Sequence, residues 1–297
     1  MGEAYETLLV EREGPVAVVT LSRPPMNLIN ARMLLELEAV VARLESDDAV
    51  RVVVLTGAGD RLFSGGADLA GGFEEVGDLA GFLRRGHALL RRLETFPKPV
   101  VAALQGHALG GGCELALACH LRVMKETARI GQTESNLGLI PGLGGTVRLA
   151  ELLGRPRAVE YLLLGTQLSA PEALAQGLVN RLAPEGETLA EARRLAHALA
   201  ARPVATGLIL RCVDRALTAP REEAFSTELA AFLEALRTED AAEGSRPSSR
   251  SDRPVSGAAE RPAEPLAPSG PPASASRKAD PSRERVGQAD PRGCRPG

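Results

Sequence analysis

The chain has 297 residues, 44% of them hydrophobic and 25% charged, with a formal net charge of −3. This composition suits a soluble globular protein of one or two domains with a sizeable buried core. No stretch approaches the roughly 18–20 apolar residues of a membrane-spanning helix.

The N-terminal segment MGEAYETLLVEREG carries acids and lacks a basic leader or an apolar h-region, so neither a signal peptide nor a transit peptide is expected. Four cysteines (Cys113, Cys119, Cys212 and Cys294) form no C-x-x-C pair, and a disulfide scaffold is not expected. Cys113 and Cys119 fall on different faces of an expected helix and cannot bridge. The chain reads as intracellular and cytoplasmic. Its charge is unevenly spread. Residues 244–297 hold ten of the 21 prolines and ten Lys/Arg against six Asp/Glu, a balance of +4 that leaves −7 on residues 1–243. Val255, Leu266 and Val286 are the only large apolar side chains in that stretch. So little apolar surface cannot offset the entropy of ordering the chain, and 244–297 is expected to be a disordered tail. The globular part is then 1–243, read as an α/β core (1–185) and a helical C-terminal region (186–243).

In chain order, VAVVTL (16–21), VRVVVLTG (50–57) and PVVAALQG (99–106) are near-continuous branched apolar runs, the pattern of strands buried on both faces. Between them, 31–44 and 79–93 repeat Leu, Val and Ala at three- and four-residue spacings, which predicts amphipathic helices. Strand and helix alternating in this way imply an α/β fold with right-handed crossovers. The second half is read as helices at 146–153, 156–163, 171–176, 187–201, 204–217 and 221–238, with a short strand at LVNRL (178–182). No sequence repeat marks a solenoid or propeller.

Chemistry is expected where glycine-rich turns follow strands, because ligands of open α/β sheets gather beyond the strands' C-terminal ends. FSGGADL (63–69) and GHALGGGCELALACH (106–120) are two such turns. Gly110, Gly111 and Gly112 permit close backbone approach before a helix whose free N–H groups suit developing negative charge. Taken alone, the triple glycine also fits a plain strand-to-helix turn. No G-x-G-x-x-G sits in the first βα turn, which disfavours a dinucleotide site. Glu114 in the first turn of an apolar helix, taken alone, reads as a surface acid. Glu134, in the loop IGQTESNLGLIPG, taken alone reads as a solvated one. Together with the two glycine turns they form a constellation of paired acids and backbone donors, suited to proton traffic at an oxyanion.

The blocks FSGGADL (63–69), FPKPVVAALQGHALGGGCELALAC (96–119) and ARIGQTESNLGLIPGLGGTVRLAELLG (128–154) closely resemble the crotonase, or enoyl-CoA hydratase/isomerase, superfamily. The resemblance runs from about Glu6 to Gly244. It implies a spiral of ββα units, a helical C-terminal region used for trimerisation, often as a dimer of trimers, and acyl-CoA substrates without a separate cofactor or metal. It places an oxyanion hole at the backbone N–H groups of Ala67 and Gly111. It makes Glu114 the base that activates water and Glu134 the acid that protonates the α-carbon. Further substrate contacts are implied at Gly66, Asp68, Leu69, Gly110, Pro141 and Gly142, and the stretch 70–83 is expected to line the acyl pocket.

Several residues depart from the family pattern. Ala70 stands where a lysine is common, leaving Lys98, the Arg84–Arg85 pair and the Arg91–Arg92 pair as candidate phosphate contacts. His120 replaces a common aspartate and is read as a structural change, while Thr133 replaces a common proline. His87, His107 and His197 are isolated and suggest no metal cluster. After RTEDAAEG (237–244) the chain runs into SRPSSRSDRPVSG in place of an aromatic–Leu–x–Lys–Arg ending, which reads as a frame-shifted or appended tail. The leading reading is hydration of trans-2-enoyl-CoA. Alternatives are double-bond isomerisation of an enoyl-CoA, a non-catalytic RNA-binding or scaffold role that the −7 folded part disfavours, and an inactive chain unable to trimerise.

Overall fold

The computed structural model describes residues 5–70, 72–202 and 205–244, without the side chains of residues 243 and 244. Apart from residue 244, the expected tail lies outside the described residues, and so does its expected disorder.

The three apolar runs are strands: β2 (Val16–Leu21), β3 (Val52–Gly57) and β5 (Val100–Leu104). With β1 (Leu8–Glu13), β7 (Leu121–Lys125) and β10 (Arg181–Ala183) they form a six-stranded sheet in the order β1-β2-β3-β5-β7-β10. β1 pairs antiparallel to β2, and the other pairings are parallel. A second sheet collects short strands in the order β4-β6-β8-β9: β4 (Leu62–Ser64), β6 (His107–Leu109), β8 (Arg129–Gly131) and β9 (Gln167–Ser169).

The connectivity repeats. Each turn of chain adds one strand to the large sheet, one to the small sheet and then a helix: β3, β4 and α2 (Leu79–Glu94), then β5, β6 and α3 (Gly111–Ala118), then β7, β8 and, after a short 3₁₀ turn at Glu134–Leu137, α4 (Gly145–Leu153). This is the expected spiral of ββα units. Its consequence is positional. The end of each small-sheet strand delivers the chain to one side of the spiral, where the glycine-rich turns and the 3₁₀ turn meet.

Continuous apolar character in the central strands follows from burial on both faces. Val16, Val18, Val52, Val54, Val101 and Ala103 pack with Ala192, Leu195 and Ala196 of α7 (Thr188–Ala200). The alternating residues Ala17, Val19, Val53, Leu55, Val100 and Ala102 join the main core with Leu34, Leu37 and Val41 of α1 (Ala31–Ser46). Burying each such side chain contributes about 1.5–3 kcal/mol, so two covered faces hold the sheet far more firmly than one. Caps fix where the helices start: the Asn30 side chain accepts from the Met33 N–H at 2.9 Å, and Asp78 accepts from the Gly81 N–H at 2.6 Å.

The second-half helices follow the expected order: α5 (Arg155–Leu164), α6 (Ala170–Ala175), α7, α8 (Ala205–Thr218) and α9 (Arg221–Ala235). The run read as 221–238 ends earlier, and α10 (Glu239–Gly244) begins separately. The strand expected at 178–182 lies instead at Arg181–Ala183. β7 escaped the sequence reading because LRVMK contains two cations. Both are buried against backbone oxygens: Arg122 donates to the Leu178 carbonyl at 2.6 Å and to the Ala116 carbonyl at 3.2 Å, and Lys125 to the Asp60 carbonyl at 2.7 Å. Arg122 thereby satisfies a carbonyl at the end of α3, the helix that carries Glu114.

Candidate active site

Two turns face each other across the start of α3. Asn27, with its backbone in the left-handed region (φ 49°), holds the first turn from beneath. Its side-chain amide donates to the carbonyls of Ala58 and Leu62 at 2.9 and 3.0 Å, and its carbonyl accepts from the Ser64 hydroxyl at 2.8 Å. A single bridge then links Ile29 to Ala67: the Ile29 N–H reaches the Gly66 carbonyl and the Asp68 N–H reaches the Ile29 carbonyl, each at 2.9 Å. Successive amides of an extended segment point to opposite sides. The Ala67 N–H therefore points away from Ile29, and no acceptor takes it among the described residues.

The Gly111 N–H also has no acceptor among the described residues, for a different reason. Gly111 is the first residue of α3, where backbone donors have no intrahelical acceptor. The three glycines before and within this turn answer to close contacts. A Cβ on Gly110 would stand 3.1 Å from Glu134 Oε1, one on Gly111 2.9 Å from the Ala67 nitrogen, and one on Gly112 2.4 Å from the Ser64 carbonyl oxygen. The two free N–H groups are thus brought side by side, the arrangement that holds an oxygen as it gains negative charge.

Glu114 is not the surface acid its position in the sequence suggests; it is 1% exposed. Its Oε1 accepts the N–H groups of Leu143 and Gly145, both at 2.7 Å, from the turn that opens α4. Burial pushes its pKa up from the ordinary 4.5 to about 7, against the pull of those two donors, and the neighbouring Glu134 charge pushes the same way. Glu134 is the first residue of the 3₁₀ turn and only partly buried, and burial raises its pKa as well. The Gln132 amide, turned so that its nitrogen faces Glu134, donates to both carboxylate oxygens at 3.2 and 3.3 Å.

Both glutamates and both free N–H groups line one cavity of about 450 Å³. Of the expected substrate contacts, Gly66, Leu69, Gly110, Pro141 and Gly142 line it too. Asp68 does not: its carboxylate is taken by Arg23 at 2.7 Å, which braces the turn from outside the cavity. The remaining wall is apolar. Leu79 and Leu83 reach it from α2, as expected of the stretch 70–83, and Leu137, Leu139, Ile140 and Leu143 close the other side.

The candidate phosphate contacts are engaged elsewhere. Lys98 Nζ donates to the carbonyls of Leu44 and Asp47 at 2.8 Å, capping the end of α1. Arg85 pairs with Glu38, Arg91 with Asp214, and Arg92 with Glu45. Arg84 stays largely exposed, 3.9 Å from Asp78. His120 is a structural replacement: Nδ1 accepts the Val100 N–H at 3.0 Å, and burial lowers its pKa to about 4. His107 accepts the Arg129 N–H at 2.9 Å. Cys113, Cys119 and Cys212 are free thiols. Among the described residues no cluster of three or more His, Cys, Asp or Glu could hold a metal, and no helix is long and apolar enough to cross a membrane.

One contributor was not singled out from the sequence. Arg148, 7% exposed, donates to the Leu143 carbonyl at 2.8 Å and pairs with Glu94 at 3.1 Å. It pins the turn whose N–H groups hold Glu114. Its signal was a lone arginine in an apolar helix following a glycine pair, which by itself fits any surface helix.

The comparisons agree with this geometry. The family model described as enoyl-CoA hydratase/isomerase matches residues 11–247. The chain is 39% identical over 237 residues to the short-chain-enoyl-CoA hydratase of Clostridium acetobutylicum, covering 78% of this chain and 90% of that protein. It is 36% identical over 246 residues to the crotonyl-CoA hydratase of Syntrophomonas wolfei, covering 81% and 94%. Among solved structures, the enoyl-CoA hydratase from Bacillus anthracis superposes with a TM-score of 0.76 at 33% identity, over 80% of this chain and 94% of that one. Spiral, paired glutamates and sequence therefore point the same way, and the chain belongs to the enoyl-CoA hydratase/isomerase family.

Proposed function

We propose that this protein is an enoyl-CoA hydratase, adding water reversibly to trans-2-enoyl-CoA to give 3-hydroxyacyl-CoA. One observation carries the reading: two carboxylates with raised pKa values share an apolar cavity with two unclaimed backbone N–H groups. A thioester oxygen between the N–H groups of Ala67 and Gly111 draws electrons from the double bond and leaves C3 open to attack. One such donor is worth about 10²–10³ in rate. Glu114, ionised and oriented by Leu143 and Gly145, takes a proton from water as the hydroxyl adds to C3. Glu134, protonated, delivers its proton to C2. The atoms of water and substrate balance with no further cofactor, and the working state is the pair holding one proton between them. Burial raises the pKa of both groups, which favours keeping a proton on the pair. An isomerase needs only one such acid–base group, so the pair favours hydration.

Assembly as a homotrimer or a dimer of trimers fits the exposed apolar rows of the C-terminal helices. Ile209, Val213 and Leu217 form one on α8, and Phe225, Leu229 and Phe232 form another on α9. A cytoplasmic setting fits the free thiols. Crotonyl-CoA turned over in heavy-oxygen water tests the reaction: the label must appear in the 3-hydroxyl of the product. Conversion without label at C3 would contradict it.

A further inference from the structure

Thr133 precedes Glu134 at the start of the 3₁₀ turn, a place where threonine ordinarily caps the turn with its hydroxyl. Here the hydroxyl makes no cap bond. Neither does it form a hydrogen bond with any other described residue, although Thr133 is partly buried and lines the reactive cavity. Its backbone φ of −109° lies well outside the range of about −65 ± 15° open to proline, so the turn uses an ordinary residue at this position. Gly110 fixes where the hydroxyl sits. A Cβ built there would be 3.1 Å from Glu134 Oε1 and 3.8 Å from Thr133 Oγ1. Hydroxyl and carboxylate therefore flank the same gap, kept open by the missing side chain of Gly110. An accessible hydroxyl with no protein partner, facing the cavity beside a carboxylate, is free to hydrogen-bond water or a polar substrate atom there.

We infer that the Thr133 hydroxyl hydrogen-bonds the oxygen added at C3, as water before addition and as the 3-hydroxyl of the product. Thr133 is thereby a substrate-contacting residue that favours 3-hydroxyacyl thioesters over their saturated counterparts. Resting on the proposed hydratase reading, this adds to the two glutamates a third polar group, neutral at all working pH values, that recognises the same oxygen. Carboxylates move protons. A hydroxyl only donates and accepts, so its removal weakens the recognition of this oxygen without removing the acid or the base.

The experiment compares wild type, Thr133→Val and Thr133→Ser in the full-length protein. Valine keeps the branched shape and the backbone N–H but deletes the hydroxyl; serine keeps the hydroxyl. In the kinetic arm, Thr133→Val lowers kcat for crotonyl-CoA hydration by about 5–20-fold, the worth of one hydrogen bond to a reacting group, with KM changed little. Thr133→Ser recovers most of the loss. Isomerisation of a 3-enoyl-CoA, which uses no water, falls far less in Thr133→Val than hydration does. In the binding arm, calorimetry uses 3-hydroxybutyryl-CoA and butyryl-CoA in a Glu114→Gln background, so that nothing turns over. Thr133→Val erases the preference for the hydroxylated ligand while butyryl-CoA affinity holds. Hydration and isomerisation falling together in Thr133→Val, serine failing to rescue, or equal affinity losses for the two ligands would overturn the inference. The binding arm decides it even where wild type fails to hydrate crotonyl-CoA, an outcome that strikes the hydratase reading instead.

Discussion

Gly145 donates its backbone N–H to Glu114 Oε1 at 2.7 Å, and a Cβ on Gly145 would stand only 3.0 Å from the Cγ of that same glutamate. One residue thus supplies the hydrogen bond that orients the proposed base and, by lacking a side chain, the room for it. The neighbouring Leu143 N–H doubles the clamp, and Arg148 holds the Leu143 carbonyl from the far side.

Gly145→Ala tests this clamp. The added methyl meets the end of the Gln132 amide at 2.4 Å as well as Glu114 Cγ, so the turn or the carboxylate must shift. We expect kcat to fall by about 10–100-fold and stability by roughly 1–3 kcal/mol, the usual range for overpacking. Rate assays and a denaturant melt check both, and an alanine variant with wild-type kcat would show that the clamp does not set the geometry of the base.

Arg148→Met tests the outer brace. It keeps the length and apolar bulk of the side chain but leaves the Leu143 carbonyl without its donor and Glu94 with Arg91 as its remaining ion-pair partner. Stability should drop by about 1–3 kcal/mol, since a buried acceptor loses its bond. The fall in kcat should be smaller than in Gly145→Ala, because Arg148 acts only through the turn. Paired thermal melts and steady-state assays read both quantities.

The buried state of Glu114 has a cost that depends on pH. In the folded chain its pKa is about 7, against an ordinary value of 4.5. Between those values the folded state binds more protons than the unfolded one, so stability falls as pH rises. The penalty is absent below about 4.5 and complete above about 7, and by linkage it reaches up to about 3 kcal/mol. Glu114→Gln should therefore melt higher than wild type at pH 8, and the advantage should shrink as pH falls toward 5, while activity is lost. Melts across that range check the sign; a variant less stable than wild type at pH 8 would show that the carboxylate is not strained there.

The oxyanion donors make a separate prediction. Gly111→Ala places a methyl 2.9 Å from the Ala67 nitrogen, one of the two N–H groups proposed to face the thioester oxygen. Because that nitrogen is backbone and cannot swing aside, the turn must shift, so stability should fall by roughly 1–3 kcal/mol while kcat falls by about 10²–10³. Circular dichroism beside the rate assay separates the two effects.

How much of this was legible in the sequence depends on the range of the interactions. Strands β2, β3 and β5 were readable because both their faces are buried and nearly every residue in each strand is apolar. β7 was not, because Arg122 and Lys125 look like surface residues until the carbonyls of Leu178 and Asp60 are brought to them. The burial of Glu114 was hidden in the same way: its donors Leu143 and Gly145 lie 29 and 31 positions later, and local context gave only a carboxylate at a helix start. Asp68, expected as a substrate contact from the family resemblance, has its carboxylate paired with Arg23, a partner 45 positions earlier that local context does not reveal. The tripled glycine was visible as a tight turn, but its partners come from two other segments: Ser64 and Ala67 from the turn at 63–69, and Glu134 from the 3₁₀ turn.

The most direct measurement follows the conjugated-thioester absorbance of crotonyl-CoA with wild type, Glu114→Gln and Glu134→Gln side by side. Two carboxylates acting on one water predict rapid loss of absorbance with wild type and a fall of at least about 10²-fold in kcat for each variant, with KM little changed. Wild-type turnover that survives either substitution would contradict the paired-glutamate account.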